Sequence, residues 1–258
     1  MRSASRLHVI RRTPTPAPAG ATSPGVLAVL VHGSMDRAAS FARLTAHLAE
    51  WTVVAYDRRG YAGSAGLGPA RGFDEQVDDL VDVLDGEPAV AFGHSYGGDV
   101  VLAAGARHPD LLRAALVWEP PQPWLPWWPH ASPSGGAGAG MEPEEQAEWF
   151  MRRMVGDRVW DRLPAATRSQ RRAEGVALQA EMAAFGAGAP FDPASIVVPV
   201  LVGRGGRSRP HQRRAARELA ATLPRGELAE VAGADHGAHL SHPGEVAGLL
   251  RQAAALVS

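Results

Sequence analysis

Gly93-His94-Ser95-Tyr96-Gly97-Gly98 is the stretch that decides the fold of this chain. The apolar run Ala89-Val90-Ala91-Phe92 precedes it, and the mostly apolar residues 99–104 follow it. This order predicts a buried strand, a sharp turn and a helix. Gly93 and Gly97 flank Ser95, and their missing Cβ atoms let the strand and the helix approach each other. The turn therefore holds the Ser95 hydroxyl out at the end of the strand.

Three other motifs accompany this turn, in a fixed order along the chain. They are Val31-His32-Gly33-Ser34, residues 56–64, and Gly233-Ala234-Asp235-His236-Gly237. Together with the turn at Ser95 they resemble the landmarks of the α/β-hydrolase superfamily, over nearly the whole chain. The resemblance implies an α/β-hydrolase fold, with a mostly parallel central sheet flanked by helices and a helical lid inserted after strand 6. It is less specific for the reaction, because one fold hosts many chemistries.

Length and composition are typical of one globular domain, since 258 residues can bury one sizeable core. A net charge of −1 gives no indication of nucleic-acid binding, and the lack of cysteine excludes disulfides and thiol chemistry. No apolar run approaches the roughly 20 residues that span a bilayer. Arg11-Arg12 precedes a Pro-rich segment rather than the apolar segment of an export signal, so we expect a cytoplasmic protein.

The apolar pattern predicts the elements of an α/β fold. The short run 26–31 fits a strand buried on both faces, as a parallel sheet requires. Residues 73–84 predict an amphipathic helix with Asp78, Asp79 and Asp82 on its solvated side. The other predicted elements are an edge strand at 7–10, a loop at 13–25, strands at 52–56, 114–118, 197–202 and 227–231, and helices at 213–223 and 243–256.

Residues 120–193 lose the periodic pattern, and we expect them to be the lid, with residues 1–119 and 194–258 as the core of a single domain. Helices are predicted at 144–155 and from about 167 to 185. Six of the seven tryptophans fall between Trp118 and Trp160, which predicts an apolar, aromatic underside. Alternatively, these rings pack the lid onto the core. The candidate substrate contacts are Met35, Trp124, Trp127 and Trp128.

A serine hydroxyl becomes a useful nucleophile only beside a base that is itself oriented by a third group. The resemblance implies the chain order serine, acid, histidine, and Ser95 and His236 fill the first and last places. His239 and His242 are rivals for the base. His236 is favoured because it lies in the Gly-rich loop after the last predicted strand, where the superfamily places its base.

The acid departs from the common pattern of the superfamily. Most members carry an aspartate in the loop after the strand predicted at 197–202, yet residues 203–210 contain no carboxylate and the first one after them is Glu218. Some members place the acid after the preceding strand, where Glu119 stands here. We therefore expect Glu119 to orient His236. The alternative is that Glu119 is a hinge residue bound to backbone amides. Asp235 is a poor candidate, because adjacent side chains in an extended loop point apart.

Two backbone amides are expected to form the oxyanion hole. The resemblance assigns one to Ser34, in the turn after the strand at 26–31. The other is the amide of Tyr96 at the start of the predicted helix, where the helix dipole favours negative charge. A basic run near the missing acid is either a solvated helix face or a receiver for an anionic substrate; its members are Arg204, Arg207, Arg209, Arg213, Arg214 and Arg217.

These features predict a serine hydrolase that cleaves an ester, thioester or lactone with an apolar portion, a small-molecule substrate, through an acyl-enzyme. One alternative is a non-hydrolytic lyase, cyclase or haloperoxidase-like enzyme on the same scaffold. Another is a ligand-binding, receptor-like protein with little turnover. The lack of a carboxylate in residues 203–210 supports this alternative. No metal or organic cofactor is expected, because no histidine and carboxylate cluster has ligand spacing and no phosphate-binding Gly-Lys pair occurs. The sequence carries no signal for an oligomeric state.

Overall fold

The structure, a computed structural model, describes residues 6–14 and 25–257. Its centre is a seven-stranded sheet with the strand order β1-β3-β2-β4-β5-β6-β7. The edge strand β1 pairs antiparallel with β3, and all the other described pairs are parallel. The strands are β1 (Val9–Arg12), β2 (Leu27–Val31), β3 (Thr52–Tyr56), β4 (Ala89–His94), β5 (Leu112–Trp118), β6 (Val200–Gly205) and β7 (Gly226–Val231).

Ten α-helices surround or extend this sheet within the described residues. They are α1 (Ala42–Ala46), α2 (Phe73–Leu84), α3 (Tyr96–Arg107), α4 (Pro143–Val155), α5 (Asp157–Arg162), α6 (Ala165–Ala173), α7 (Gly175–Gly186), α8 (Pro210–Thr222), α9 (Ala238–Ser241) and α10 (Pro243–Ala255). None of these helices is both long and apolar enough to cross a membrane.

The sheet is covered on both faces, and the alternation of side chains along β2 shows how. Val29 and Val31 join an apolar cluster with α2, α3 and α8. Ala28 and Leu30 point to the opposite face and join a cluster with α1 and α10. All six residues of β4 are buried. Two-sided burial explains why the central strands are continuous apolar runs.

The sequence prediction is confirmed for β3 and for α2, whose bounds match the predicted ones. The prediction of a solvated Asp79 is wrong. Asp79 is buried, and its carboxylate accepts two hydrogen bonds from Arg59, at 2.6 and 3.1 Å. Asp78 and Asp82 are exposed as predicted. The loop after β3 therefore covers one flank of α2 and supplies the countercharge that a buried carboxylate needs.

The strand predicted at 197–202 begins and ends later, as β6 at 200–205. Pro199 lacks an amide donor and stands just before its start. Within β6, Gly203 and Gly205 lie against other segments of the protein and leave no room for a side chain. A Cβ at Gly203 would lie 2.6 Å from the Trp118 ring, and one at Gly205 would collide with the carbonyl oxygen of Ala234.

The helical segment between β5 and β6 contains α4 to α7. The lid is expected after strand 6. Among the described strands this segment follows the fifth, β5, because only β1 is described before β2. The single helical stretch predicted from 167 to 185 is two helices, α6 and α7, with the break at Glu174. Gly175 passes so close to the backbone of Pro143 that a Cβ would collide with it. Most of the loop predicted at 13–25 lies outside the described residues.

Candidate active site

Ser95 stands between β4 and α3 in a strained backbone conformation, with φ 53° and ψ −127°. Its amide donates to the carbonyl of Trp118 at 2.9 Å. A Cβ at Gly93 would lie 2.5 Å from the Gly97 carbonyl oxygen, and a Cβ at Gly97 would collide with Val31. The two glycines therefore allow the close packing that holds Ser95 in this conformation, and such strain persists only where the surroundings enforce it.

Glu119 directly follows β5, and its carboxylate is 0% exposed. Its Oε2 lies 2.9 Å from Nδ1 of His236, and its Oε1 accepts a hydrogen bond from the Gly205 amide at 2.8 Å. One carboxylate thus contacts a histidine with one oxygen and a backbone amide with the other. The two roles weighed from the sequence, orienting acid and amide-bound hinge, are compatible in this geometry.

Two glycines in the segment that lacks the expected carboxylate leave no room for a side chain. Gly205 ends β6 and Gly206 begins the loop after it, and a Cβ on either one would meet the backbone of residues 232–234 at about 2.5 Å or less. Glu119 comes from the adjacent strand, since Trp118 is the register partner of Gly203. Its side chain therefore reaches His236 from β5, which lies one strand further from β7 than β6 does.

Gln212 on α8 is a contact of His236 that no sequence signal indicated. Its Nε2 lies 3.0 Å from His236 Nδ1, and its Oε1 accepts a hydrogen bond from the Arg209 amide at 3.1 Å. A ring nitrogen carries at most one proton, so Nδ1 either donates to Glu119 or accepts from Gln212. The buried carboxylate is the stronger partner, because a hydrogen bond to an ionised group is about twice as strong as a neutral one.

Ser95, Glu119 and His236 line one cavity of about 720 Å³, together with Ser34. This volume lies in the range of small-molecule sites, roughly 300–1,000 Å³. The Ser95 hydroxyl makes no hydrogen bond to any other described residue. Contacts between nucleophile and base are often long without substrate and shorten on binding. Ser34, Ser95, Glu119 and His236 together give the cavity a polar end that is suited to nucleophilic chemistry.

The cavity wall also has an apolar part, and most of its apolar side chains come from residues 120–193, called the insertion from here on. Met35 and Trp128, two of the expected substrate contacts, lie in this wall. None of its other apolar side chains was a predicted substrate contact; they are Pro121 after β5, Phe150, Met151, Met154 and Val155 of α4, Met182 and Phe185 of α7, and Leu240 of α9. Thioether side chains are flexible and adapt to irregular shapes.

The structure places Trp124 and Trp127 outside the cavity wall, in contrast to the expectation for these two residues. Trp124 packs into the core, with its ring 6.1 Å from that of Phe185. The indole nitrogen of Trp127 donates to Glu218 at 3.0 Å, and the guanidinium of Arg214 stands 4.0 Å from its ring. Both rings agree with the alternative prediction, in which they pack the insertion onto the core.

The expected oxyanion donors come from two turns that pack against each other, since a Cβ at Gly33 would lie 2.9 Å from the Cβ of Ser95. Ser34 follows β2 and lines the cavity, and its amide donates to no other described residue. Tyr96 is the first residue of α3, so its amide is one of those that have no partner within the helix. Met35 has a φ of 58°, and its carbonyl accepts a hydrogen bond from Arg171 of α6 at 2.7 Å.

The other histidines near the site do not contact Glu119. His239 is buried beside Asp36, with 3.4 Å between Nε2 and Oδ2. His242 lies 2.9 Å from the Ser241 hydroxyl and does not line the cavity. Burial lowers the pKa of His32 to about 3, and Arg58 contributes. His32 is therefore neutral, and its Nε2 accepts a hydrogen bond from the Arg58 amide at 2.8 Å.

The basic run near the missing acid divides into paired and rim residues. Arg204 pairs with Glu230 at 2.8 Å, and Arg214 pairs with Glu218 at 2.7 Å. Arg207 and Arg209 are exposed and lie at the cavity.

A model of the Alpha/beta hydrolase family matches residues 28–249. The chain belongs to this family. The match includes all but the first residue of β2, the strands β3 to β7, the turn at Ser95, Glu119 and the loop of His236, so the whole site described above lies inside it. Family membership establishes the fold and the class of protein, and the specific reaction follows from the site.

Two curated proteins share part of the chain. The uncharacterized hydrolase YraK of Bacillus subtilis is 35% identical over 102 residues, which cover 37% of this chain and 38% of that protein. The lipase LipV of Mycobacterium tuberculosis is 32% identical over 93 residues, 35% of each protein. The matched segments thus span well under half of either relative. The solved structure of an alpha/beta hydrolase from Sphaerobacter thermophilus is 25% identical, with a TM-score of 0.67 and 95% of both chains covered.

Proposed function

We propose that the chain is a serine hydrolase that cleaves a carboxylic ester, thioester or lactone through an acyl-enzyme. The contact of 2.9 Å between Glu119 and His236, in the same cavity as the strained Ser95, is the observation that carries the proposal. A buried carboxylate on Nδ1 fixes the tautomer in which Nε2 is free to accept a proton, which is what a serine nucleophile requires.

The reaction follows from these positions. The Ser95 oxygen attacks the carbonyl carbon while His236 Nε2 takes the hydroxyl proton, and the amides of Ser34 and Tyr96 bind the oxyanion. The bond to the leaving alcohol or thiol then breaks, and His236 returns the proton to it. Water attacks the acyl-enzyme by the same route, with His236 again as the base. Glu119 stabilises the imidazolium that forms in each half-reaction.

The cavity supports a substrate with an apolar acyl or alcohol portion. Its lining includes four methionine and two phenylalanine side chains. The similarity of part of the chain to LipV, which is named a lipase, agrees with this substrate class. The insertion supplies much of this wall, and we propose that it acts as the lid expected from the sequence.

Hydrolysis of p-nitrophenyl esters of increasing acyl length tests the proposal. We expect the unmodified protein to hydrolyse these esters, with a burst of nitrophenol when deacylation is slow, and Ser95→Ala to abolish the burst. Labelling with a fluorophosphonate gives an independent measurement, because an activated serine reacts with it. Labelling that persists in Ser95→Ala would contradict the assignment. Absence of both turnover and labelling in the unmodified protein would favour the ligand-binding alternative.

A further inference from the structure

Three side chains that the proposed reaction does not use converge beside Ser95. Asp36, His94 and His239 each offer one donor atom, and these atoms all lie within 4.8 Å of one another. They come from three segments that build the site: the turn after β2, the end of β4, and α9. The distance along the chain between them explains why no ligand spacing is visible in the sequence.

One ring nitrogen of His94 has a free lone pair. Its Nε2 lies 2.9 Å from the carbonyl oxygen of His236, and since a carbonyl only accepts, Nε2 carries the ring proton. Nδ1 is therefore unprotonated, and it is buried without a hydrogen-bond partner among the described residues. A ring that binds metal through one nitrogen commonly donates the other to such an acceptor.

His239 and Asp36 complete the cluster. The His239 side chain is 2% exposed, and its Nδ1 has no hydrogen-bond partner in the described part of the chain. Asp36 Oδ2 lies 3.4 Å from His239 Nε2 and accepts a hydrogen bond from the Ser40 hydroxyl at 2.9 Å. Buried polar atoms nearly always have partners, so the two unpartnered Nδ1 atoms of His94 and His239 require an explanation.

We propose that Asp36, His94 and His239 bind one divalent transition-metal ion. Two imidazole nitrogens and one carboxylate oxygen are a donor set for ions such as Zn²⁺ and Co²⁺, whereas Mg²⁺ and Ca²⁺ prefer oxygen ligands alone. The three residues all line the cavity that holds Ser95, which gives an ion a path to them.

Binding of an ion would tighten the cluster. In a tetrahedral site with ligand atoms about 2.0–2.2 Å from the ion, these atoms lie about 3.3–3.6 Å apart, so atoms now separated by up to 4.8 Å must close by up to about 1.5 Å. His94 adjoins Ser95, and Asp36 follows the turn of Ser34. Since a displacement of about 1 Å can cost about 10²-fold in rate, we expect the ion to slow turnover reversibly. This second step rests on the proposed hydrolase function, whereas ion binding does not.

The test is a titration of the tag-free, metal-free full chain with Co²⁺, followed by the visible absorption of the bound ion and by calorimetry. We expect one saturable site per chain. Asp36→Asn and His239→Gln should each weaken it at least about tenfold. His242→Gln is the matched control, because it removes a nearby histidine outside the cluster and should leave Co²⁺ binding unchanged. Circular dichroism establishes that each variant is folded.

The outcomes separate the two steps. No saturable Co²⁺ signal in the unmodified chain, or equal binding in the folded Asp36→Asn and His239→Gln variants, would overturn the metal site. If Co²⁺ binds but ester turnover is the same before and after a chelator is added, the coupling to catalysis is wrong. A chain with no esterase activity would contradict the hydrolase proposal alone, because absorption and calorimetry report the ion directly.

Discussion

At the scale of single residues, the proposed chemistry depends on which neighbour orients His236. Nδ1 lies 2.9 Å from Glu119 and 3.0 Å from Gln212, so distance alone does not separate them. Glu119→Gln keeps the shape and the bond to the Gly205 amide, but it presents an amide NH₂ to Nδ1. That NH₂ favours the wrong tautomer, and we expect kcat for ester hydrolysis to fall by about 10² to 10⁴.

Gln212→Met is the matched variant, since it removes the other neighbour at similar volume. We expect its kcat to stay within an order of magnitude of the unmodified protein. The two variants are compared by steady-state kinetics on one chromogenic ester. A large loss in Gln212→Met with a small one in Glu119→Gln would show that the amide, rather than the carboxylate, orients the base.

Asp99 provides a second prediction at this scale, because it lies in α3 with 0% exposure and both carboxylate oxygens lack partners within the described residues. Burial raises its pKa well above the usual value. Between the two pKa values the folded chain holds a proton that the unfolded chain has lost. Stability therefore falls as pH rises above about 4, by up to about 1.4 kcal/mol per pH unit, until the raised pKa is passed.

Asp99→Asn removes this titration while it keeps the shape of the neutral acid. We expect the stability of the variant relative to the unmodified chain to increase with pH between about 5 and 8. Urea unfolding at several pH values measures the difference. The buried amide of the variant changes its stability by the same amount at every pH. Only the change of the stability difference with pH therefore tests the prediction. A difference that does not change with pH would mean that Asp99 is not protonated in the folded chain.

At the scale of elements, α6 and α7 hold the turn that carries Ser34. Arg171 donates to the Met35 carbonyl at 2.7 Å and lies 3.2 Å from Glu174, whose other oxygen accepts from the Ala62 amide. Met35 has a φ of 58°, a strained conformation for a residue with a side chain. The insertion therefore stabilises the backbone that presents one of the proposed oxyanion donors.

Arg171→Met should loosen this turn. Complete loss of one oxyanion donor costs about 10² to 10³ in kcat, and we expect a smaller loss here, expressed in kcat rather than in KM. Arg172→Met is the control, because the neighbouring Arg172 pairs with Glu148 inside the insertion at 2.6 Å. Both constants are measured on the same ester series, together with the melting temperature. Equal effects of the two variants on kcat would contradict a role for Arg171 at the turn.

Elements that are defined by their own residues were predictable from the sequence. The bounds of α2 follow from its apolar periodicity, and the turn at Ser95 follows from its glycines. Features set by distant segments were not predictable. The break before α7 depends on contact between Gly175 and Pro143, and the contact of Gln212 with His236 depends on how α8 packs.

At the scale of the whole molecule, one buried ion pair attaches the insertion to the core. Arg58 of the loop after β3 is 0% exposed, and its Nη1 lies 2.6 Å from Oε1 of Glu181 on α7. Its guanidinium also packs against the rings of Tyr61 and Tyr96, at 5.2 and 4.7 Å. Burial alone would lower the pKa of Arg58, but Glu181 and the two rings raise it above its usual value. The charge therefore persists in the core.

Removal of one partner should be far more costly than removal of both. Glu181→Met leaves the Arg58 charge buried and unpaired, so we expect a loss of about 3–5 kcal/mol, whereas Arg58→Met combined with Glu181→Met should recover most of it. Glu50→Met, which breaks the exposed pair with Arg251, should cost no more than about 1 kcal/mol. Urea unfolding gives all three values. If Glu181→Met and Glu50→Met lower the free energy of unfolding by the same amount, the Arg58 charge is hydrated in the variant. Apolar contacts, rather than this ion pair, then hold the insertion to the core.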